Sequence, residues 1–414
     1  MLPGYSGGAD ILSYDEARQK VIDAVSACRP APQWESVALS RALGRVLAEE
    51  IHADRDYPPF DRATRDGFAV RSADLATLPA NLLVVAEIKA GDSFSGEIQS
   101  GQCAQIMTGA AVPAGADAVV MIEHTKPGKG SVLIERAAEA GQNVVPRGSE
   151  AKAGQLLLKP GARLGYAELA LLGQVGHAEV GVFRRPRVAI LSTGNEVVEV
   201  SQQPGPFQIR NSNTVSLAAQ VELAGAEPVP LPNAPDEPTK LRALIERGLQ
   251  EDVLVLSGGV SMGKYDLVEG VLREMGAEFY FDAVAIRPGK PAVFGKCRDK
   301  FVFGLPGNPV STMVTFELFV VPAMDILSGA APRPLAFFKA KLGAAVKQKA
   351  ALTHFMTAVV DWPGGEPVVK ELPWQGSGDI VALTQANCFL IVPESKLEFA
   401  AGDWVDVLPR RGIL

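Results

Sequence analysis

Apolar positions along this chain change their spacing four times, and the changes mark its parts. Ser13 reads as an N-cap, with Asp15 and Glu16 in the first turn of a helix that reaches about Ala27 and is ended by Pro30 and Pro32. A second short helix is predicted over roughly 39–49. After the stiff Tyr57-Pro58-Pro59-Phe60-Asp61 connection the pattern becomes short strands between turn residues: FAVR, LLVVAEI, CAQIM, AVVMIE and SVLIE. Residues 145–180 return to mixed character, with an apolar helix at 166–172, and are expected to rejoin residues 1–56, so that 57–144 is an inserted β domain.

From Arg187 onward strand and helix alternate. Strands at 188–191, 228–231, 253–256 and 301–304 are each followed by helices, at 214–224, 239–249, 267–275 and 310–321. This rhythm over 181–329 predicts a parallel, doubly wound sheet. The segment GAAPRPL at 329–335 suits a linker. Beyond it the helices are expected to stop, and runs at 336–338, 355–362, 387–392 and 404–408 read as strands of a small C-terminal barrel or sandwich, 330–414. The fold class is therefore α/β multidomain, with a doubly wound domain, an inserted β domain, an N-terminal mixed domain and a C-terminal β-barrel.

Composition narrows the function without naming it. The chain has 414 residues, 47% hydrophobic and 21% charged, the profile of a globular protein of several domains. A net charge of −7 supplies no basic field for nucleic acid. Cys28, Cys103, Cys297 and Cys388 form no CxxC pair and read as small buried hydrophobes of a reducing compartment. The N-terminal decapeptide lacks a basic head and a long apolar run, and no run approaches the ~18 apolar residues of a membrane span. The cytoplasm is the expected location, with neither nucleic acid nor membrane as partner.

Candidate chemistry gathers after the strands of the α/β region, where open sheets bind ligands. One strand delivers Ser192-Thr193-Gly194-Asn195-Glu196. The central one delivers Ser257-Gly258-Gly259 and then Asp266, ahead of a helix. Gly258 to Lys264 spells G-x-x-x-x-G-K, but Tyr265 stands where a P-loop needs Ser or Thr for Mg²⁺, so no ATPase loop is expected. A third strand leads to Pro306-Gly307-Asn308-Pro309, in which Asn308 reads as an N-cap with Pro309 behind it, leaving helix amides free. Arg287 and Lys290 stand on a stiff Pro-Gly turn. Acids suit Mg²⁺ and amides with cations suit phosphate oxygens. Asp236 reads either as a further metal ligand or as the cap of the helix near Thr239. His52, His124, His177 and His354 form no ligand spacing and read as structural or solvated.

With those residues in view the chain resembles the molybdopterin molybdenumtransferases, the MoeA family that includes the E domain of gephyrin and of its plant counterpart. The likeness spans nearly the whole chain. It rests on Leu43-Gly44-Arg45-Val46-Leu47-Ala48, Pro58-Pro59-Phe60-Asp61, Asp66-Gly67-Phe68-Ala69-Val70, Met107-Thr108-Gly109-Ala110 and Gly115 to Val120. Ser192 to Glu196, Ser257 to Asp266 (with Ser261), Arg287 to Pro291, Gly304 to Ser311, Gln375-Gly376-Ser377 and Asn387-Cys388-Phe389 complete it. The resemblance implies Mg²⁺-dependent cleavage of adenylated molybdopterin, with molybdate as the second substrate and AMP released. It implies Glu196, Asp236 and Asp266 as metal or pterin residues. Asp66 and Thr108 are implied to complete the cleft of a partner subunit, making the homodimer obligatory. Pro306 and Pro309 shape a loop, and Ser377 closes the site from the barrel. A molybdopterin adenylyltransferase and cofactor-carrier or molybdoenzyme partners are expected neighbours. The chain departs from the pattern at Ala283, where a lysine is frequent, and at Leu352 and Thr357, where the family carries arginines; an arginine fork is not replaced by Leu or Thr. A non-catalytic pterin-binding scaffold and an adenylyltransferase are the alternative readings.

Overall fold

The computed structural model describes residues 11–92, 94–259, 267–348 and 352–413. The first helix, α1 (Tyr14–Cys28), begins with a reciprocal cap. The Glu16 amide donates to Ser13 Oγ at 3.3 Å, and the Ser13 amide donates to Glu16 Oε2 at 2.8 Å. Its buried face, Ala17, Val21 and Val25, joins the core of the central α/β body rather than lying free.

That body is built on a six-stranded sheet of β1 (Arg187–Ser192), β2 (Glu227–Pro230), β3 (Val253–Ser257), β4 (Glu278–Phe281), β5 (Val293–Cys297) and β6 (Lys300–Leu305), in the order β2-β1-β3-β6-β5-β4. β1, β2, β3 and β6 run parallel, as the alternation predicts. The far edge does not: β5 runs antiparallel to β6 and β4 to β5. The cause is a two-residue turn, Arg298-Asp299, with both residues at positive φ (46° and 66°), which returns the chain on itself with Cys297 opposite Lys300. Helices α2 (Ser212–Ala224), α3 (Pro238–Gly248), α4 (Leu267–Glu274) and α5 (Pro309–Leu327) cover the two faces. α5 is long and apolar enough to cross a bilayer, but 83% of its apolar stretch is buried in this core, so its hydrophobicity is spent on packing.

The segments 34–38 and 179–183 pair antiparallel, as do 51–52 and 156–158, so chain on both sides of the inserted unit forms one mixed layer. Within it the helix predicted over 39–49 is replaced by a single 3₁₀ turn, Leu39–Arg41. Gly44 takes φ 74°, and Val46 and Leu47 bridge Arg163 and Val182 as extended chain, burying the apolar residues without a helix. The inserted sheet (strands 118–121, 67–70, 102–106, 80–88, 131–134 and 125–127 in spatial order) leaves that layer at Arg62–Ala63 and returns at Val144–Val145, and these two segments pair with each other.

The C-terminal strands 338–342, 353–361, 368–371, 388–392 and 404–409 close on themselves as a barrel, since 353–361 pairs with both 368–371 and 388–392. Its interior is filled by residues such as Leu342, Met356 and Val407, while Phe355, Phe389 and Leu408 face outward into the α/β core. One short helix, Ile380–Gln385, stands where none was expected; six residues are too few to show a period, and Asp379 starts it by accepting the Ala382 amide at 3.0 Å.

A buried carboxylate ties these parts together. Asp325, near the end of α5, is fully buried. It accepts from Arg163 of the mixed layer at 2.9 Å, and from Arg333 of the barrel linker through Nη2 at 2.7 Å, Nε at 3.1 Å and the backbone amide at 2.9 Å. Removing one partner of a buried ionic group leaves the remaining charges uncompensated. Asp325→Ala is expected to lower stability by about 3–5 kcal/mol in urea denaturation; a loss below ~1 kcal/mol would mean that the two guanidinium groups find water instead.

Candidate functional site

Register brings three strand ends level. Ser192 pairs with Ser257, and Ser257 with Leu305, so β1, β3 and β6 release their turns side by side at the carboxyl edge. The Thr193 amide donates to the Ser257 carbonyl at 3.0 Å and the Gly258 amide to the Leu305 carbonyl at 3.1 Å, which holds the turns together. Gly258 and Gly259 have φ of 91° and 65°. A Cβ on Gly259 would lie 2.8 Å from Thr193 Oγ1 and 2.7 Å from Val268 Cγ2, so only glycine lets this turn lie between β1 and α4.

The hollow above these turns has a volume of about 590 Å³ and takes in Thr193, Glu196, Ser257, Gly259, Pro306, Gly307, Asn308 and Pro309, eight of the predicted positions. Side-chain amides fix its rim. Asn211 Oδ1 accepts from Ser192 Oγ and from the Thr214 amide, each at 3.1 Å, capping α2. Asn213 Nδ2 donates to Ser257 Oγ and to the Gly307 carbonyl, each at 2.8 Å. Thr193 Oγ1 and Asn213 Oδ1 are buried with no hydrogen-bond partner among the described residues, so the rim carries polar capacity that its own side chains leave unused. Gly194 is at φ 134°, and the carboxylate of Glu196 folds back over it, 2.6 Å from where a Cβ would sit.

Asp236 stands on the other side of a wall made by Thr193 and Gly259, in an adjoining hollow. It does not cap α3, whose N-cap is Glu237 with no side-chain bond. Instead it exchanges two bonds with Asn195: the Asn195 amide donates to Asp236 Oδ2 at 3.3 Å, and the Asp236 amide to Asn195 Oδ1 at 3.1 Å. Asp266 and Ser261 lie outside the described residues. Among the described residues no three His, Cys, Asp or Glu side chains gather to form a complete metal cage. Two hard carboxylates at the margin of this hollow and its neighbour suit a Mg²⁺ ion that completes its shell with substrate oxygens and water.

At the start of α5 the expectation of free amides needs correction. Asn308 is the N-cap and Pro309 follows, but the Asn308 side chain caps nothing, and the Val310 amide donates to the Ser377 carbonyl at 3.0 Å. The barrel loop therefore occupies an amide that the sequence left open, and brings Ser377 to the edge.

Arg287 faces a second hollow. Ile286–Arg287 pairs in parallel with Thr353–His354 at the seam between barrel and α/β body, and the cavity there, about 470 Å³, is lined by Arg287, Leu352, His354, Met356, Glu371 and Trp374 among others. The Arg287–Pro291 turn borders both hollows, Arg287 on the second and Pro291 on the first, and carries the part-buried Lys290 between them. Asp66 and Thr108 border neither. They are exposed on the inserted sheet, where Asp66 Oδ1 accepts from the Thr108 amide at 2.6 Å and its hydroxyl at 2.8 Å, bonds that hold the carboxyl below its ordinary range.

The geometry defines an α/β protein with a cleft of about 590 Å³ at the carboxyl edge of its sheet and a barrel loop bonded beside it. Residues 12–176 match the MoeA N-terminal region (domain I and II), 189–325 a probable molybdopterin binding domain, and 339–409 the MoeA C-terminal region (domain IV). The Bacillus subtilis molybdopterin molybdenumtransferase is 37% identical over 96% of this chain and 94% of its own, and the Haemophilus influenzae one 34% over 98% and 100%. A crystal structure of the MoeA molybdopterin biosynthesis protein from Pyrococcus horikoshii superposes with a TM-score of 0.79 at 29% identity, covering 97% of this chain and 100% of that one. The chain belongs to the molybdopterin molybdenumtransferase family.

Sequence reasoning passed over Asn211, Asn213 and Glu371, and read His354 as structural or solvated. The two asparagines were legible as polar residues just ahead of α2, had its start been placed two residues earlier. His354 offered no such signal, because its place depends on strand pairing across 67 positions of chain. It is 7% exposed, and burial first, then the Arg287 guanidinium, push it from 6.5 down to about 4. The unfolded chain binds this proton first as pH falls, so the folding contribution is complete above pH 6.5 and is lost between 6.5 and about 4. That loss is expected to reach about 3 kcal/mol, seen as a falling urea midpoint; His354→Gln should lack this component, and an unchanged acid limb would contradict the burial argument.

Proposed function

We propose that this protein inserts molybdenum into molybdopterin by cleaving adenylated molybdopterin in the presence of Mg²⁺ and molybdate, releasing AMP. The observation that carries the reading is the cleft at the level ends of β1, β3 and β6, with its unused buried polar atoms and its flanking carboxylates, Glu196 and Asp236. A bound Mg²⁺ would draw charge from the phosphate oxygens as the anhydride opens. Thr193, Ser257 and the glycine turn hold the phosphates; Asn213 keeps the β3 and β6 turns at fixed separation. One water adds across the phosphoanhydride, giving AMP and the pterin monophosphate, and the two thiols then take the place of one molybdate oxygen, which leaves with their protons as water. In this reading Arg287 and Lys290 grip the oxyanion.

Asp66 and Thr108 border neither hollow of their own protomer, which fits their serving a partner subunit's cleft in a homodimer of this chain. Cofactor hand-over to carrier proteins or molybdoenzymes, and supply by an adenylyltransferase, belong to the same reading.

The test follows AMP release from adenylated molybdopterin with Mg²⁺ and molybdate. Molybdate-stimulated release is expected from the wild type and at least a tenfold loss from Asp236→Asn. Tight binding without AMP release would instead mark a scaffold. Mixing inactive Asp66→Asn and Asp236→Asn proteins under subunit exchange should restore activity, since each mixed dimer then holds one intact composite site. Mixtures that remain inactive would place Asp66 outside the chemistry. Replacing Arg287 and Lys290 together by Gln is expected to weaken molybdate binding, measured by calorimetry; unchanged affinity would remove them from that role.

A further inference from the structure

The second hollow, at the barrel seam, holds an acid and a base that its own residues leave unmatched. Glu371 is half-buried and has no hydrogen-bond or ion-pair partner among the described residues; burial raises its pKa. Arg287, across the same hollow, also has no such partner among them. Of the other polar lining residues, Lys347 pairs with Glu398 at 2.8 Å and Gln348 donates to the Pro393 carbonyl at 2.8 Å, while His354 Nε2 is buried with no partner among the described residues. His354, held neutral, cannot compensate the carboxylate at ordinary pH. A partly desolvated carboxylate needs paired donors, and a carboxylate accepts best from two parallel N–H groups.

The same hollow has apolar lining as well. Trp374 is half-buried, with its ring centroid 6.2 Å from that of His354, and Met356 and Leu352 also line it. Leu352, one of the positions at which the chain departs from the pattern it resembles, adds apolar surface to this hollow. A ligand suited to this hollow is a planar heterocycle with two adjacent N–H donors at one end and an anionic substituent at the other. A 2-amino-4-oxo pterin has that edge, through its 2-amino group and N3–H. Adenine does not, since its amino group adjoins an acceptor nitrogen.

The hollow and the cleft also border one loop. Gly376 lines the second cavity and Gly378 the first, with Ser377 between them bonded to α5. An elongated ligand that occupied both hollows would lie across this loop.

We infer that the seam cavity receives the pterin ring of the substrate, with Glu371 accepting from its 2-amino and N3–H groups, Trp374 covering its face and Arg287 meeting its anionic end. This rests on the function proposed above and adds to it: the adenylate lies in the α/β cleft and the pterin beyond the Gln375–Gly378 loop. Glu371 is then the residue that selects a pterin over other bicyclic rings.

The experiment is a fluorescence titration of the full-length protein with 6-hydroxymethylpterin phosphate and with the matching lumazine, in which an oxo group replaces the 2-amino group, beside an AMP titration. The wild type is expected to bind the pterin at least tenfold more tightly than the lumazine. Glu371→Gln should erase that preference and weaken pterin binding at least tenfold, with AMP affinity unchanged as the sign of an intact fold. Trp374→Leu should weaken both ring systems alike. A wild type that releases AMP from adenylated molybdopterin yet shows no preference for the pterin, or a Glu371→Gln protein that keeps it, overturns this assignment and leaves the proposed function standing. Failure of the wild type to release AMP would remove the reading beneath it, and this assignment with it.

Discussion

The carboxylate of Asp325 is the constraint on which the arrangement of parts depends. It sits with no solvent exposure near the end of α5, and its donors come from two places: the mixed layer through Arg163, and the linker through both the side chain and the backbone amide of Arg333. Arg333 also donates to the Ala224 carbonyl at the end of α2, and Arg18 of α1 reaches the Leu318 carbonyl of α5. Charges removed from water are tolerable only when their geometry is complete. The α/β body, the mixed layer and the root of the barrel are thus held to one point, beyond what their apolar contacts specify.

The site inherits its shape from that fixation. The barrel contributes Phe355, Phe389 and Leu408 to the same core as β3 and α5, so its loops approach the switch edge at a set height. The Ser377 carbonyl then takes an α5 amide, and two hollows form on either side of one loop. Within the α/β cleft the turns are fixed mainly by backbone bonds and two asparagines, which leaves Glu196 and Asp236 exposed at its margins. Rigid turns beneath exposed acids are the kind of support that holds a site's geometry fixed.

How much of this could be read from the chain follows from the range of the interactions involved. The β-α alternation, the Ser13 cap and the glycine turn after β3 are local, and each leaves its mark within a few residues. The Arg298-Asp299 hairpin was equally local but carries no glycine, so nothing in its composition announced positive φ. The helix predicted over 39–49 failed for the opposite reason: Val46 and Leu47 are drawn into extended pairing by Arg163 and Val182, more than a hundred residues away. The level strand ends followed from the turns once a parallel sheet was assumed. The seam cavity did not, because it exists only where Ile286–Arg287 joins the barrel strand.

The pairing of Arg62–Ala63 with Val144–Val145 has a further meaning. The inserted sheet leaves and re-joins the mixed layer through two neighbouring strands, so its chain ends are already adjacent where they meet the host. Such a unit behaves as a detachable module: its size and surface could change over time without altering the path of the chain around it. It carries its own apolar interior, centred on residues such as Val70, Cys103 and Ile134, and so needs little from its host beyond that two-strand stem. The stem also sets the Asp66–Thr108 pair apart from the sheet edge that carries Glu196. Variation in how far this module leans would tune the reach of one end of the molecule while the other stays fixed.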